Sequence, residues 1–196
     1  MIKSLAIALS IVCGTVAAGA ADLNPGSSTD LKDPVYSPDW VGQYLSEVRV
    51  GGLYHDPGIF GNRKEKGGDG NLEVLFASPE FLAPIWAPRP HLGTSINTAG
   101  DTSQLYAGLT WSFNLWQSLF LDLSEGPSLN DGELDKKYPD RKALGSHILF
   151  REQASLGWQF DGHNSLSVML DHISNAGLAR YNQGMETIGL RYGYRF

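Results

Sequence analysis

The sequence predicts an all-β protein, an eight-stranded antiparallel transmembrane β-barrel of the bacterial outer membrane. Three observations predict it. The chain opens on an export signal. Its later segments alternate apolar and polar residues with a period of two. The last of those segments runs to a C-terminal aromatic residue, Phe196.

The export signal comes first. Met1-Ile2-Lys3 supplies a positive charge, residues 5–16 are almost wholly apolar, and residues 16–21 are small. That order is the n-region, h-region and cleavage site of a secretory signal, so residues 1–21 are expected to be removed after Ala20 or Ala21. The apolar stretch is too short for a membrane-spanning helix, which needs about 20 residues. Cys13 is preceded by Ile11-Val12, a poor match to the small residues that precede a lipidated cysteine. Residues 22–44 are rich in Pro, Ser, Asp and Asn without a clear period, which predicts an N-terminal periplasmic extension ahead of a barrel over 45–196.

Composition narrows the function classes. Cys13 is the only cysteine, so the expected mature chain has no disulfide framework, thiol nucleophile or cysteine-ligated metal. Removing Lys3 with the signal takes the formal net charge from −6 to −7, and a mildly acidic chain has no footprint for nucleic acid. The mean hydropathy of −0.19 looks soluble, but barrel strands alternate, so their average stays near neutral.

Eight strands are predicted near 45–54, 70–77, 88–98, 103–113, 116–124, 146–160, 164–175 and 184–196. In the fourth, Leu105, Ala107, Leu109, Trp111 and Phe113 share one face, with Tyr106, Gly108, Thr110 and Ser112 on the other. In the fifth, Leu119, Leu121 and Leu123 alternate with Phe120, Asp122 and Ser124. In the sixth, Ala154, Leu156, Trp158 and Phe160 oppose Gln153, Ser155, Gly157 and Gln159. In the eighth, Ile188, Leu190, Tyr192, Tyr194 and Phe196 oppose Thr187, Gly189, Arg191, Gly193 and Arg195. Arginine and glycine along an inner face suit a polar lumen and not a soluble sandwich. Tight periplasmic turns are expected at Asn114-Leu115 and 161–164, with long outer loops at 55–69 and 125–145. Tyr192, Tyr194 and Phe196 then fall in the lower aromatic girdle.

The same parity exposes three polar residues on the lipid face. Leu166, Val168 and Leu170 face lipid in the seventh strand, and His172 and Ser174 continue their parity. In the eighth, the residue before Ile188 on the lipid face is Glu186. The two strands are sequential and antiparallel, so their outer ends lie side by side. A polar residue at a strand rim is ordinarily an interfacial residue that costs only about 0–1 kcal/mol. Here, however, an acid, an imidazole and a hydroxyl converge, the composition of a nucleophile–base–orienter triad. Residues i and i+2 project the same way, which brings Ser174 near His172. The turn Asn175-Ala176-Gly177 offers backbone N–H groups for an oxyanion, and Asn182 a side-chain contact. A site facing lipid implies an acyl ester in the outer leaflet as substrate.

The segment G-S-H-I-L-F-R-E-Q-A-S-L-G-W-Q-F (145–160), followed by N-S-L-S-V-M-L-D-H-I-S-N-A-G-L-A-R-Y-N-Q-G-M-E-T-I-G-L-R-Y-G-Y-R-F (164–196), resembles the lipid A 3-O-deacylase (PagL) family. The likeness covers about the last 50 residues, and H-I-S-N-A-G…N-x-G…E is its specific pattern. It implies an eight-stranded outer-membrane barrel that hydrolyses the 3-O-linked acyl chain of lipid A with no metal or cofactor. It further implies that His172, Ser174 and Glu186 are catalytic, and that Asn175 and Asn182 stand at the family's two asparagine positions. The partner implied is lipid A or lipopolysaccharide in the outer leaflet, with a homodimer left open. Two rivals stand beside this reading: a non-catalytic structural barrel, and a phospholipase or acyltransferase of the same membrane.

Overall fold

The computed structural model describes residues 41–196, so the expected signal and residues 22–40 of the expected extension lie outside the described residues. Eight strands follow in order: β1 (Leu45–His55), β2 (Gly68–Phe76), β3 (Arg89–Asn97), β4 (Gln104–Trp116), β5 (Leu119–Asn130), β6 (Ile148–Gln159), β7 (Asn164–Ser174) and β8 (Met185–Arg195). Each pairs antiparallel with its sequence neighbours, and β1 pairs with β8 from Glu47↔Arg195 to His55↔Thr187, which closes the barrel. No helix among the described residues is long and apolar enough to cross a membrane. The strands, apolar along their outward face, are the spanning elements of this barrel.

The barrel is apolar outside and polar inside. Val50, Leu72, Leu92, Leu105, Ile148, Leu156, Val168 and Leu190 are all exposed on the outer face. The lumen instead buries Glu47, Arg49, Glu73, Asp122, Arg151, Asp171 and Arg191. Burying a lone charge is costly, and each is therefore paired. Arg49 donates to Glu47 at 2.7 Å, to Asp122 at 2.6 Å and to Glu73 at 3.3 Å. Arg191 shares Glu73 at 2.9 Å and bonds Ser155 at 2.8 Å. Arg151 pairs with Asp171 at 2.6 Å and lies 3.6 Å above the centroid of Tyr106. Glycines make room for this filling. A Cβ on Gly157 would lie 2.1 Å from the Phe120 ring, and one on Gly93 2.5 Å from Tyr106.

At the outer mouth the filling changes. Leu144, from the β5–β6 loop, forms an apolar plug with inward-facing Leu149, Ile173 and Met185. Above it the outer loops are joined by ionic and hydrogen-bonded contacts. From the β1–β2 loop (56–67), the fully buried Glu65 accepts a bond from Thr102 N–H at 3.0 Å, Lys142 N–H at 2.9 Å and Arg141 at 3.3 Å. His55 bridges Glu65 at 3.0 Å and Asp69 at 2.9 Å. Lys142 reaches Asp56 at 3.1 Å. Burial alone would raise the Glu65 carboxyl. The bonds it receives from His55, Lys142 and Thr102 outweigh that and hold it at about 2.

All eight expected strands form, and three boundaries move. The turn expected at Asn114-Leu115 lies at Gln117-Ser118, because β4 continues to Trp116 through an irregularity between Asn114 and Trp116. Trp116 then adds to an exposed lower girdle with Trp158, Phe160, Tyr192 and Phe196. β5 extends to Asn130, past Glu125 and Pro127, so the outer loop is 131–147 and not 125–145. Pro127 is tolerated because the β4–β5 pairing is interrupted there, between Tyr106↔Ser128 and Leu109↔Glu125. The β2–β3 connection (77–88) is longer than a tight turn and contains a 3-10 segment, Glu80–Ile85, whose Ile85 carbonyl accepts the Trp111 indole N–H at 2.8 Å.

Two predictions follow from these charges. Arg49→Leu strands three buried carboxylates and should lower barrel stability by about 3–5 kcal/mol, read by urea unfolding in lipid bilayers with tryptophan fluorescence. Glu65 has its folded value below its ordinary 4.5, so its contribution is present above about pH 4.5 and is lost as pH falls toward about 2. Pepsin should therefore begin to cut the 131–147 loop within that window, and Glu65→Gln should be cut already at its upper end.

Candidate functional site

The site stands on the outer third of β7 and β8, where alternate residues do opposite jobs. On β7, Asp171 and Ile173 point inward. Asp171 is held by Arg151 and by Gln104 Nε2 at 2.8 Å, and Ile173 joins the apolar plug. With these anchored in the lumen, the pleat turns His172 and Ser174 outward. The β7–β8 register sets His172 directly opposite Glu186. His172 Nδ1 lies 3.1 Å from Glu186 Oε1. With the proton on Nδ1, the ring donates to the carboxylate and Nε2 is left as an acceptor.

Two other carboxylates share this outer face, and sequence reading did not single them out. Glu152 is the β6 neighbour of His172, and Glu125 lies opposite Glu152. Both are exposed. Among the described residues only Glu186 bonds the imidazole. The signal that would have found Glu152 is the one that found Glu186, a charge at lipid-facing parity beside Phe150, Ala154 and Leu156.

Glu186 faces outward, yet its side chain is only 2% exposed, against 26% for His172. The β1–β2 loop supplies the cover. Asp56 N–H bonds the Glu186 carbonyl at 3.0 Å, and the Phe60 ring stands nearly perpendicular to His172, 83° at 5.8 Å between centroids. Phe60 was not read from the sequence. Its only signal is an apolar pair, Ile59-Phe60, in an otherwise polar loop. Gly184 also leaves space for the imidazole: its φ is +60°, and a Cβ there would lie 3.0 Å from His172 Cε1.

Ser174 lies opposite Phe150 on β6. Among the described residues no hydrogen bond joins Ser174 Oγ to His172. Positions i and i+2 on a strand are about 6.6 Å apart, so the contact requires both side chains to lean together. Catalytic bonds are often long before substrate closes them.

The loop that follows, 175–184, is shaped by Asn175, which is buried. Its Nδ2 donates to the carbonyls of Leu144 at 2.7 Å and Tyr181 at 2.6 Å, and its Oδ1 accepts from Gly177 N–H at 2.9 Å. Asn175 N–H in turn donates to Asn182 Oδ1 at 3.0 Å. The N–H groups of Asn175 and Gly177 are thereby engaged, which differs from the sequence expectation that all three turn residues would offer donors. Ala176, exposed with φ +53°, keeps its N–H outside these bonds, and so does the Asn182 amide nitrogen.

A groove of about 770 Å³, reaching Asn175 next to Ser174 in the chain, is lined mainly by Leu109, Trp111, Pro127, Ile148 and Phe150, with Glu125 and Glu152 also on its wall. It opens where the β4–β5 pairing is interrupted. There Gly108 and Gly126 cross so closely that a Cβ on Gly126 would lie 2.0 Å from the Ala107 carbonyl oxygen. No group of three or more His, Cys, Asp or Glu among the described residues is arranged to hold a metal.

The family model for lipid A 3-O-deacylase (PagL) matches residues 85–195, more than half of the chain, and that span contains His172, Ser174 and Glu186. A crystal structure of the outer membrane enzyme PagL is similar with a TM-score of 0.54 and 20% identity, over 76% of this chain and 97% of that one. A designed transmembrane β-barrel is nearly as similar, with a TM-score of 0.51 and 13% identity over 80% and 97%. Structural likeness at these identities therefore speaks for the barrel alone. No curated protein sequence matches the chain. The family match rests on the chain's own residues from the β2–β3 connection to the end of β8, and by it this outer-membrane barrel belongs to the lipid A 3-O-deacylase (PagL) family.

Proposed function

We propose that the protein hydrolyses the 3-O-linked acyl ester of lipid A in the outer leaflet, with Ser174 as nucleophile, His172 as general base and Glu186 as its orienter. The observation that carries this reading is the His172–Glu186 pair, formed at 3.1 Å on the lipid-facing side of the barrel. A buried carboxylate turned toward lipid is costly unless it serves a partner. The family to which the chain belongs supplies the substrate class.

In the first half-reaction Ser174 Oγ attacks the ester carbonyl as His172 Nε2 takes its proton. Glu186 fixes the tautomer that leaves Nε2 free and stabilises the imidazolium. Negative charge grows on the former carbonyl oxygen, and the free donors beside Ser174 are Ala176 N–H and the Asn182 amide nitrogen. Collapse of the tetrahedral intermediate passes the proton to the departing sugar hydroxyl and leaves an acyl-serine. Water then attacks with His172 as base, and a free fatty acid departs. The apolar groove at Phe150 lies where the acyl chain would extend from Ser174. Every group named belongs to one chain, so the reaction requires no homodimer.

Ser174→Ala and His172→Ala should remain folded, migrating as compact barrels in unheated gels. Deacylation should fall by about a thousandfold or more, measured by mass spectrometry of lipid A from cells expressing each variant. A fully active Ser174→Ala would refute the mechanism. Loss of acyl chains from phospholipids, with lipid A intact in the wild type, would make the enzyme a phospholipase instead.

A further inference from the structure

We propose that Phe60 is a positioning residue for this reaction, holding the His172 ring in its working orientation from a loop anchored for the purpose; the inference rests on the Ser174–His172–Glu186 reading above. Phe60 lies outside residues 85–195, the span matched by the family model, so the family match says nothing of it. It is an aromatic side chain, 66% exposed, in a loop of Gly, Asn, Arg and Lys. The ring's partner is His172, at 5.8 Å in a T-shaped arrangement.

The loop's position is over-determined. Asp56 is held by Lys142 at 3.1 Å and accepts the Lys64 and Glu65 N–H groups at 2.7 and 3.0 Å. Glu65 is tied to the neighbouring loops through Thr102 and Lys142. Lys64 Nζ donates to Gln183 Oε1 at 3.2 Å, next to Gly184, whose missing side chain makes space for the same imidazole. Phe60 is thus presented to His172 by a loop anchored on either side of it, and Gly184 borders the same imidazole. His172 itself stands at the rim of a strand, with one bond to Glu186 and no packing from the lumen. A ring so placed would otherwise swing about χ1 and lose both the carboxylate and the serine. The phenyl ring, 5.8 Å away and nearly perpendicular, limits that swing by packing against the imidazole. The effect is therefore on the orientation of the base in the chemical step, which affects kcat more than KM.

The experiment uses the full-length protein in detergent–lipid A mixed micelles, comparing wild type, Ser174→Ala, Phe60→Ala and Phe60→Tyr. Phe60→Ala should lower kcat about tenfold, equivalent to about 1.4 kcal/mol, with KM within about twofold of wild type. Phe60→Tyr, which keeps the ring, should restore kcat. Phe60 is exposed and makes no lumen contact, so both variants should fold, checked by compact migration in unheated gels. Phe60→Ala with unchanged kcat overturns the proposal, as does a loss confined to KM, which would make Phe60 a substrate contact. An inactive wild type, indistinguishable from Ser174→Ala, would sink the underlying deacylase reading instead.

Discussion

Hydrocarbon offers no hydrogen-bonding partners to a peptide group, so every backbone N–H and C=O at membrane depth must pair within the protein. A sheet meets that demand only by closing, and here closure is the pairing of β1 with β8. The rest follows from it. In a closed sheet each residue faces either lipid or lumen, and the pleat assigns the two in strict alternation. β8, pinned on one side by β1 and on the other by β7, has no freedom of register. Thr187 and Arg191 must face the lumen, and Glu186 must therefore face out. A slip of one residue would exchange Glu186 with Thr187 and leave His172 facing a hydroxyl. The pairing that seals the membrane wall also sets Glu186 opposite His172.

Inside, the usual core is inverted. The lumen is filled by arginines shared among carboxylates, and Arg49 alone ties Glu47, Glu73 and Asp122 from three different strands. Such a filling gives stability only when every charge is matched, but it is directional, and it specifies one arrangement of the strands. It gives way to an apolar plug beneath the site, where Ile173 and Met185 are the immediate chain neighbours of His172, Ser174 and Glu186. This apolar plug behind β7 and β8 separates His172 and Glu186 from the lumen charges Asp171 and Arg151. The proposed reactive groups sit on strands, and the contacts that cover them come from the loops above.

Much of this was legible in the sequence because parity is a one-dimensional property. Reading back from Phe196 in steps of two reaches Glu186, and the same count in β7 reaches His172 and Ser174. All eight strands are visible for that reason. What parity cannot supply is a partner. It shows that Arg49, Arg151 and Arg191 face inward, but pairings such as Arg49 with Asp122 depend on where the chain crosses the lumen. Pro127 and Glu125 read as loop because a proline normally ends a central strand, and only the interrupted β4–β5 pairing explains its tolerance. The turn at Gln117-Ser118 carries no Gly, Pro or Asn-Gly signal to mark it. Phe60 and Glu65 act across more than a hundred and several tens of residues respectively, through loops with no period to read.

The reassignment within the turn after Ser174 shows why residue type underdetermines role. An asparagine following the nucleophile is an obvious oxyanion donor on paper. Here Asn175 spends both amide hydrogens on the carbonyls of Leu144 and Tyr181 and its own oxygen on Gly177 N–H. Those bonds bind the 175–184 loop to the 131–147 loop, and Gly145 permits the approach, since a Cβ there would lie 2.0 Å from the Tyr181 carbonyl oxygen. The donors left over, Ala176 N–H and the Asn182 amide nitrogen, are then held by a network that is itself complete. Preorganised donors lower a barrier because they need not reorient as charge develops. In the proposed reaction, an asparagine that fixes the loop therefore serves the same end as one that touches the oxyanion, without meeting the substrate.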